Sequence, residues 1–587
     1  SEPYELFKMN YRPVVQNELG DDAPLAAVLD SGIFTGNPLL ENVVVAEEEF
    51  DTTENSTTDM NGHGTGVAGI VVYGDFDNCL KTQTFKPLVR VCNGKIMHDE
   101  NGCPCFPSDK RPEQIVKEAI EYFYNEFECR IFNLSVGDAD HLYSGGRQFA
   151  WAEMLDQLSR ELDIVISAGN VSEPELKDFT SRDELMEQCR DQLFQPEHRL
   201  IDPATSSLGV TVGSITRFDE PVAISNRTTR LSTGKKDYLS VFTRIGRGVN
   251  RAIKPDVVDY GGNFAVSQLM RGRSKWEKND MRLLEPTLNN GNDKIFKGYC
   301  GTSFSAPHVT HVAARIEKAL ETQLHEKPSA NLIKAILINS ARCTESMTEW
   351  GEQSKDALYT GKSNPKQERK LRLYGFGRVD DSLLYSDYNR VTLFTEDKLS
   401  LRSFHLYKIP VPKEFLEIKA DKSISISLAY NPITRLSRKE YLTNNLWFEV
   451  FRKIDEDTLV QYKAKKESGQ DTEEDLARLP EKNKAKFFPG YTEINKGTLQ
   501  QRIWKKSASG GSDLLWNENE PYIYVLITGK EKFKYAEQEL PQDYALAITF
   551  AYEGKDDIQL YTKLKSNVKI KIRQKQRERV RERGRIR

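Results

Sequence analysis

Residues 301–316 read GTSFSAPHVTHVAARI: a serine among small neighbours, a proline four residues later, then apolar residues at helical spacing. Pro307 falls in a first helical turn, where its missing N–H is not needed, so it marks a helix start rather than a break. Val309, Val312, Ala313, Ile316 and Leu320 form the stripe by which such a helix packs on a sheet. Ser303 therefore stands where unpaired backbone N–H groups and the positive end of the helix dipole point outward, which suits a developing oxyanion. Its small neighbours Gly301, Thr302 and Ala306 let a carbonyl group approach both the Ser303 hydroxyl and its N–H.

Upstream, short apolar runs recur, three of them ending in Gly, Asp or Asn: APLAAVLD (23–30), PLVRV (87–91), RIFNLSVG (130–137), DIVISAGN (163–170) and LGVTVGSI (208–215). Between two of them, PEQIVKEAIEYFYNE (112–126) carries Ile115, Ala119, Ile120 and Phe123 at helical spacing. Alternation of this kind predicts a doubly wound α/β domain with a mostly parallel sheet, whose functional residues collect at the carboxyl ends of strands. After about residue 395 the period changes to two: Ile424, Ile426, Leu428 and Tyr430 alternate, as do Leu446, Phe448 and Val450, and Tyr544, Leu546, Ile548 and Phe550. This predicts a C-terminal antiparallel β-sandwich. Residues 452–487, rich in charge, read as a long solvated loop within it. The expected organisation is an N-terminal extension over 1–20, the α/β domain over 21–392, the β-sandwich over 393–562 and a basic tail over 563–587.

Bulk properties narrow the classes. The 587 residues exceed one core, and 83 basic against 87 acidic side chains leave a formal net charge of -4, with no global pull toward nucleic acid or an anionic membrane. No apolar stretch approaches the roughly 18 to 20 residues that span a bilayer, so no membrane association is expected. Eight cysteines without secreted-scaffold spacing, and a start, SEPYELFKMN, with neither a basic n-region nor an apolar h-region, predict a reducing, cytoplasmic setting without a signal peptide. A first residue other than Met points to a processed or longer chain. NGCPC (101–105) lacks a histidine to complete a zinc set and reads as a reduced loop.

Three further stretches bear on Ser303. AAVLDSGI leaves Asp30 at a strand end. DMNGHGTGVAGI sets His63 between glycines at a helix start, and Gly64, Gly66 and Gly69 imply close approach by another backbone. DIVISAGN ends at Asn170, whose amide could complete an oxyanion hole. A serine hydroxyl needs a base: His63 would take its proton and return it to the leaving amine, while Asp30 holds the imidazole tautomer. His308 and His311 are the competing bases, and on a helix they lie along its packed or outer surface rather than over the hydroxyl.

The order Asp, His, Ser, with DSG, HGTGVAG, SAGN and GTSFSAP, resembles the subtilisin-like serine proteases, the subtilases. The resemblance covers about residues 20–390, including IKPDVVDYGG before the serine and LIKAILINSA and YGFGRVDDSLL after it. It implies an endopeptidase acting on protein or peptide substrates through an acyl-enzyme, with Ser135, Val136 and Gly137 lining the cleft and Ala168 and Gly169 across from them. It departs from the family at Gly66, where a second histidine is frequent, and at Tyr260, Gly261 and Gly262, where APG is frequent. No cofactor is expected; many subtilases hold a structural calcium ion, for which this sequence assigns no ligands. YRPVVQNELGDDAPLAAVLDSGI, HGTGVAGIVVYGD, NRVTLFTEDKL and GTLQQRIWKK further resemble bacterial subtilases encoded beside an AAA-type ATPase, which implies an ATPase partner and a role in phage defence or plasmid exclusion.

Two local features admit other readings. The segment 171–200, acidic and directly after Asn170, reads as a solvated helix or as a cleft rim attracting basic substrate residues. The tail, with twelve Lys or Arg and two Glu over 563–587, supports an alternative in which the protein is a non-enzymatic binding or scaffold protein. No aromatic interleaves these charges, so stacking on nucleic acid is not indicated, and a solvated or partner-docking tail is the expectation.

Overall fold

The structure, a computed structural model, describes residues 13–16, 18–221, 229–269, 273–291, 293–353, 365–384, 389–401, 403–437, 440–468, 482–509, 522–532, 540–554 and 573–576. The chain divides into two compact units, Ser1–Asp381 with Thr434–Tyr441, and Ser382–Ile433 with Leu442–Arg587.

In the first unit, every apolar run read from the sequence yields a strand, and two more join them in a seven-stranded sheet. Its order is Val257–Tyr260, Val210–Ile215, Asp163–Ser167, Ile131–Leu134, Leu25–Asp30, Arg90–Lys95 and Val44–Glu49. All six pairings are parallel. Parallel strands are buried on both faces, and four of the central ones, from Val210–Ile215 across to Ile131–Leu134 and Leu25–Asp30, are buried almost throughout. The edge strand Val44–Glu49 ends in three glutamates and alternates between exposed and half-buried, as an unpaired edge should.

Helix Pro112–Phe127 buries Ile115, Ala119, Ile120 and Phe123, together with Val116, against the sheet. Each of these side chains larger than Ala119 contributes about 1.5–3 kcal/mol. Helix Ala306–Leu324 buries its predicted stripe, and His308, Thr310 and His311 besides, so it runs through the interior rather than over it. It begins just after a 3-10 turn, Thr302–Phe304, that carries Ser303. Helix His63–Tyr73 is buried from Gly64 onward. A Cβ on Gly64 would lie 2.1 Å from the Gly32 carbonyl oxygen, the backbone approach its glycine implied. At Gly69 the approach is by side chains instead: a Cβ would lie 2.5 Å from Thr287 Oγ1 and 2.8 Å from Leu288. Thr287 and Leu288 belong to a hairpin, Glu285–Leu288 with Phe296–Tyr299, inserted directly before the serine.

Cys103–Cys105 pairs antiparallel with His98–Glu100, so NGCPC is the turn and second arm of a hairpin rather than a loop. All eight cysteines are free. Within 171–200, helix Arg182–Gln192 is not wholly solvated: Leu185, Met186, Cys189 and Arg190 are buried. Glu173, Glu175 and Asp178 line a cavity of about 490 Å³ with Trp276 and Ser274.

The second unit holds two four-stranded antiparallel sheets. One runs Arg390–Leu399, Gln542–Glu553, Asp421–Tyr430 and Leu499–Lys506; the other runs Asn444–Arg452, Tyr522–Glu531, Ser403–Pro410 and Arg573–Gln576. The sheets meet through side chains: the Tyr544 hydroxyl of the first bonds His405 Nδ1 of the second at 2.6 Å and also the Tyr407 hydroxyl. Part of the charge-rich stretch forms a helix, Glu456–Ser468, where a loop was expected; its residues 469–481 lie outside the described residues. Asp455 caps its start by accepting from Thr458 N at 2.8 Å, and Leu459 buries with Ile454. Strand Arg573–Gln576 lies inside the basic stretch, whose residues 563–572 and 577–587 fall outside the described residues.

Candidate active site

Asp30 closes its strand fully buried, and His63 opens its helix partly buried. His63 Nδ1 lies 2.7 Å from Asp30 Oδ1, which also accepts Ser31 N at 2.8 Å. A carboxylate can only accept, so His63 carries its proton on Nδ1, which leaves Nε2 with a lone pair in the neutral ring. Burial works against a charged imidazolium here, but the Asp30 charge and hydrogen bond, with Asp59 behind them, more than offset it. The His63 pKa consequently stands above its ordinary value of 6.5.

Asp59 was not singled out in the sequence, although it stands four residues before His63. Its carboxylate gathers five donors: Ser31 Oγ at 2.9 Å, Asn61 N at 3.0 Å, Gly62 N at 2.8 Å, Thr65 N at 2.8 Å and Thr65 Oγ1 at 2.6 Å. Those donors come from the residue after Asp30 and from both sides of His63, so one buried group fixes the spacing of the two. Burial raises the Asp59 pKa despite these bonds. Gly62 adopts φ +97°, and a Cβ there would lie 2.9 Å from Asn290 Oδ1 and 3.0 Å from Tyr299 Oη. The inserted hairpin uses that space: Tyr299 Oη donates to the Gly62 carbonyl at 2.8 Å, and its ring stacks on Phe304 at 4.5 Å. Phe304 in turn meets the His63 ring edge-on at 5.3 Å.

Ser303, 7% exposed, donates its hydroxyl to the Ser135 carbonyl at 3.0 Å. Ser135 Oγ returns a bond to the Ser303 carbonyl at 2.9 Å and accepts from Asn133 Nδ2 at 2.9 Å, and Thr310 Oγ1 donates to Asn133 Oδ1 at 2.9 Å. The serine turn is thus tied to the end of strand Ile131–Leu134. Among the described residues, His63 Nε2 makes no hydrogen bond, to Ser303 or elsewhere. His308 and His311 are committed elsewhere: the first lies 3.2 Å from Glu285, and the second bonds the Val71 carbonyl at 2.7 Å. Burial lowers the His311 pKa to about 3, so its ring stays neutral.

Asn170 follows strand Asp163–Ser167 with its residue exposed. Its Oδ1 accepts from Thr302 N at 2.9 Å and Thr302 Oγ1 at 3.1 Å. An amide whose oxygen is so engaged has its NH2 turned outward as a donor. Thr302 Oγ1 also accepts from Gly169 N at 3.0 Å. Ser303 N has no acceptor among the described residues. Ser135, Val136 and Gly137 extend from the end of one strand, and Ala168 and Gly169 from the end of its neighbour, in the same part of the unit. All nine residues expected at the site are therefore positioned by three adjoining strand ends and two helix starts. Among the described residues, no group of three or more His, Cys, Asp or Glu side chains could hold a metal ion.

Comparison with known proteins gives matches of three kinds. A family model described as Subtilase family matches residues 21–377. An uncharacterized protein of Sinorhizobium fredii, y4bN, is 31% identical over 470 residues, spanning 78% of this chain and all of the relative. Solved structures that align include a lanthipeptide protease (17% identity, 61% of this chain and 86% of the other, TM-score 0.35). A prenylagaramide maturation protease, PagA, aligns at 18% identity over 62% of this chain and 92% of the other, with TM-score 0.35. A cold adapted subtilisin-like serine proteinase aligns at 19% identity over 58% of this chain and 91% of the other, with TM-score 0.32.

Proposed function

The chain belongs to the subtilase family of serine peptidases, and from that premise we propose that it is an endopeptidase in which Ser303, His63 and Asp30 perform acyl transfer. The observation that carries this reading is the 2.7 Å bond between Asp30 and His63, which assigns the proton to Nδ1 and readies Nε2 as a base.

Ser303 Oγ attacks the substrate carbonyl while His63 Nε2 removes its proton; the imidazolium so formed is stabilised by Asp30 and later protonates the leaving amine. The tetrahedral oxyanion lies between Asn170 Nδ2 and the Ser303 N–H, two donors not committed to the protein. Water then repeats the sequence on the acyl-enzyme. The Ser135 carbonyl that now holds the Ser303 hydroxyl is also the acceptor that the N–H of an extended substrate residue would seek. Substrate binding would therefore displace the hydroxyl, and rotation about Cα–Cβ would carry it toward Nε2. Regulation by an AAA-type ATPase partner, in phage defence or plasmid exclusion, is the second layer of the proposal and rests on the sequence resemblance alone.

The test is hydrolysis of an unfolded protein substrate by the wild-type chain and by Ser303→Ala, each with and without an AAA-type ATPase of the kind the resemblance implies. Cleavage at internal bonds by the wild type alone supports the endopeptidase. Cleavage by both, or by neither with the ATPase present, overturns it. A rate independent of the ATPase removes the regulatory layer only.

A further inference from the structure

Strands Ile131–Leu134 and Asp163–Ser167 are neighbours in the sheet, so Ser135–Gly137 and Ala168–Asn170 leave it side by side, about one strand spacing apart. Both flank the serine turn, the first through the Ser135 bonds and the second through Asn170 and Thr302. One side chain reaches both segments. A Cβ built on Gly137 would lie 2.8 Å from Ile201 Cδ1, and one on Gly169 would lie 2.6 Å from the same atom.

Ile201 is 3% exposed and held in place. Leu142 and Asp138 pair with Ile201 and Asp202 respectively, Tyr143 N donates to the Leu200 carbonyl at 2.8 Å, and Ala204 N donates to the Ile201 carbonyl at 2.7 Å. Arg244 adds its Cδ, 3.0 Å from a Cβ on Gly169. Its guanidinium is bonded to the carbonyls of Asn170, Glu197 and Arg199 at 2.9, 2.7 and 2.9 Å. The crevice between the two segments is therefore floored by a fixed apolar side chain at glycine height.

We propose that Ile201 restricts the substrate residue whose carbonyl Ser303 attacks to a small side chain: Gly, Ala, Ser or Cys. This rests on the endopeptidase reading, in which that residue lies along Ser135–Gly137 and its side chain enters the crevice. A Leu or Phe side chain would need the volume that the Ile201 methyl groups occupy, and an interior this closely packed does not yield it without displacement.

The experiment measures kcat/KM for tetrapeptide anilides identical except for Ala, Leu or Phe at the attacked residue, in the wild type and in Ile201→Val, Ile201→Ala and Ile201→Gly. Fluorophosphonate labelling of each protein reports an assembled site. The wild type is expected to favour Ala over Phe by roughly 10- to 200-fold, the range one misfit in an apolar pocket produces. The Phe/Ala ratio should climb stepwise from Val to Gly. A wild type that cleaves Phe as well as Ala, or a ratio that stays flat across labelled variants, overturns the Ile201 assignment alone. A wild type that neither labels nor cleaves, with the ATPase present as well as without it, overturns the endopeptidase reading and this inference with it.

Discussion

The Asp30–His63 half of the site and the Ser303 half differ in readiness. The acid–base pair is assembled at 2.7 Å, with the five-donor Asp59 knot holding its spacing. The nucleophile is tied firmly by its backbone, but its hydroxyl is turned to the Ser135 carbonyl. The difference follows from chemistry. The buried Asp59 carboxylate is satisfied within the fold by its five donors, so its partners, and through them the spacing of Asp30 and His63, are fixed there. A hydroxyl has one rotatable bond and several acceptors in reach, so its direction is left to whatever occupies the cleft.

That contrast can be broken at five points, the largest effect first. Ser303→Ala should lower kcat by ~10⁶, and Asp30→Asn by ~10⁴ because the wrong imidazole tautomer is then favoured, magnitudes established for this family's chemistry. Steady-state kinetics would check both, and a loss below about tenfold for Asp30→Asn would mean the pair is not the working base. Asn170→Ala should cost roughly 100- to 1,000-fold in kcat with KM little changed. An equal loss in binding would instead assign Asn170 to substrate positioning.

Asp59→Asn sharpens the comparison, because it keeps an oxygen for Ser31, Asn61 and Gly62 while offering Thr65 an NH2 where both its N–H and hydroxyl need an acceptor. Only neutral His63 accepts a proton, so kcat/KM should rise with pH through an inflection above 6.5 in the wild type. Removing the Asp59 charge, which helps raise the His63 pKa, should move that acid limb to lower pH, and a pH–rate profile that does not shift would make Asp59 purely structural.

The smallest effect concerns stability. Burial raises the Asp202 pKa to about 7 against an ordinary 3.8. The folded state therefore holds this proton more tightly than the unfolded one, and the stability so gained is complete below pH 3.8 and lost as pH rises through about 7. Asp202→Asn, which can still accept from Ala152 N, should raise Tm at pH 8 and leave it nearly unchanged at pH 4. Equal shifts at both pH values would point to packing rather than charge.

Much of this was legible in the sequence because strand ends and helix starts carry local signals. Apolar runs closing on Asp30, Ser135 and Asn170, and Pro307 in a first turn, each report their own neighbourhood. What was not legible depends on segments meeting across the chain. Edge strand Val44–Glu49 hides behind three glutamates, and the hairpin bearing Tyr299 is seen only where it meets Gly62 and Phe304. Asp59 had a usable signal, an acid four residues before the histidine, but its five donors come from three places. Ile201 carries none: its place between Gly137 and Gly169 arises only from the crossing of three segments. Helix Glu456–Ser468 was obscured because few apolar residues anchor it.

The most direct measurement is fluorophosphonate labelling of the intact chain with the adduct mapped by mass, followed as a function of pH. The account predicts one adduct, on Ser303, forming at a rate that rises through an inflection above pH 6.5 and abolished by His63→Ala. A folded chain that gains no adduct, gains it on another residue, or labels equally without His63 would contradict it.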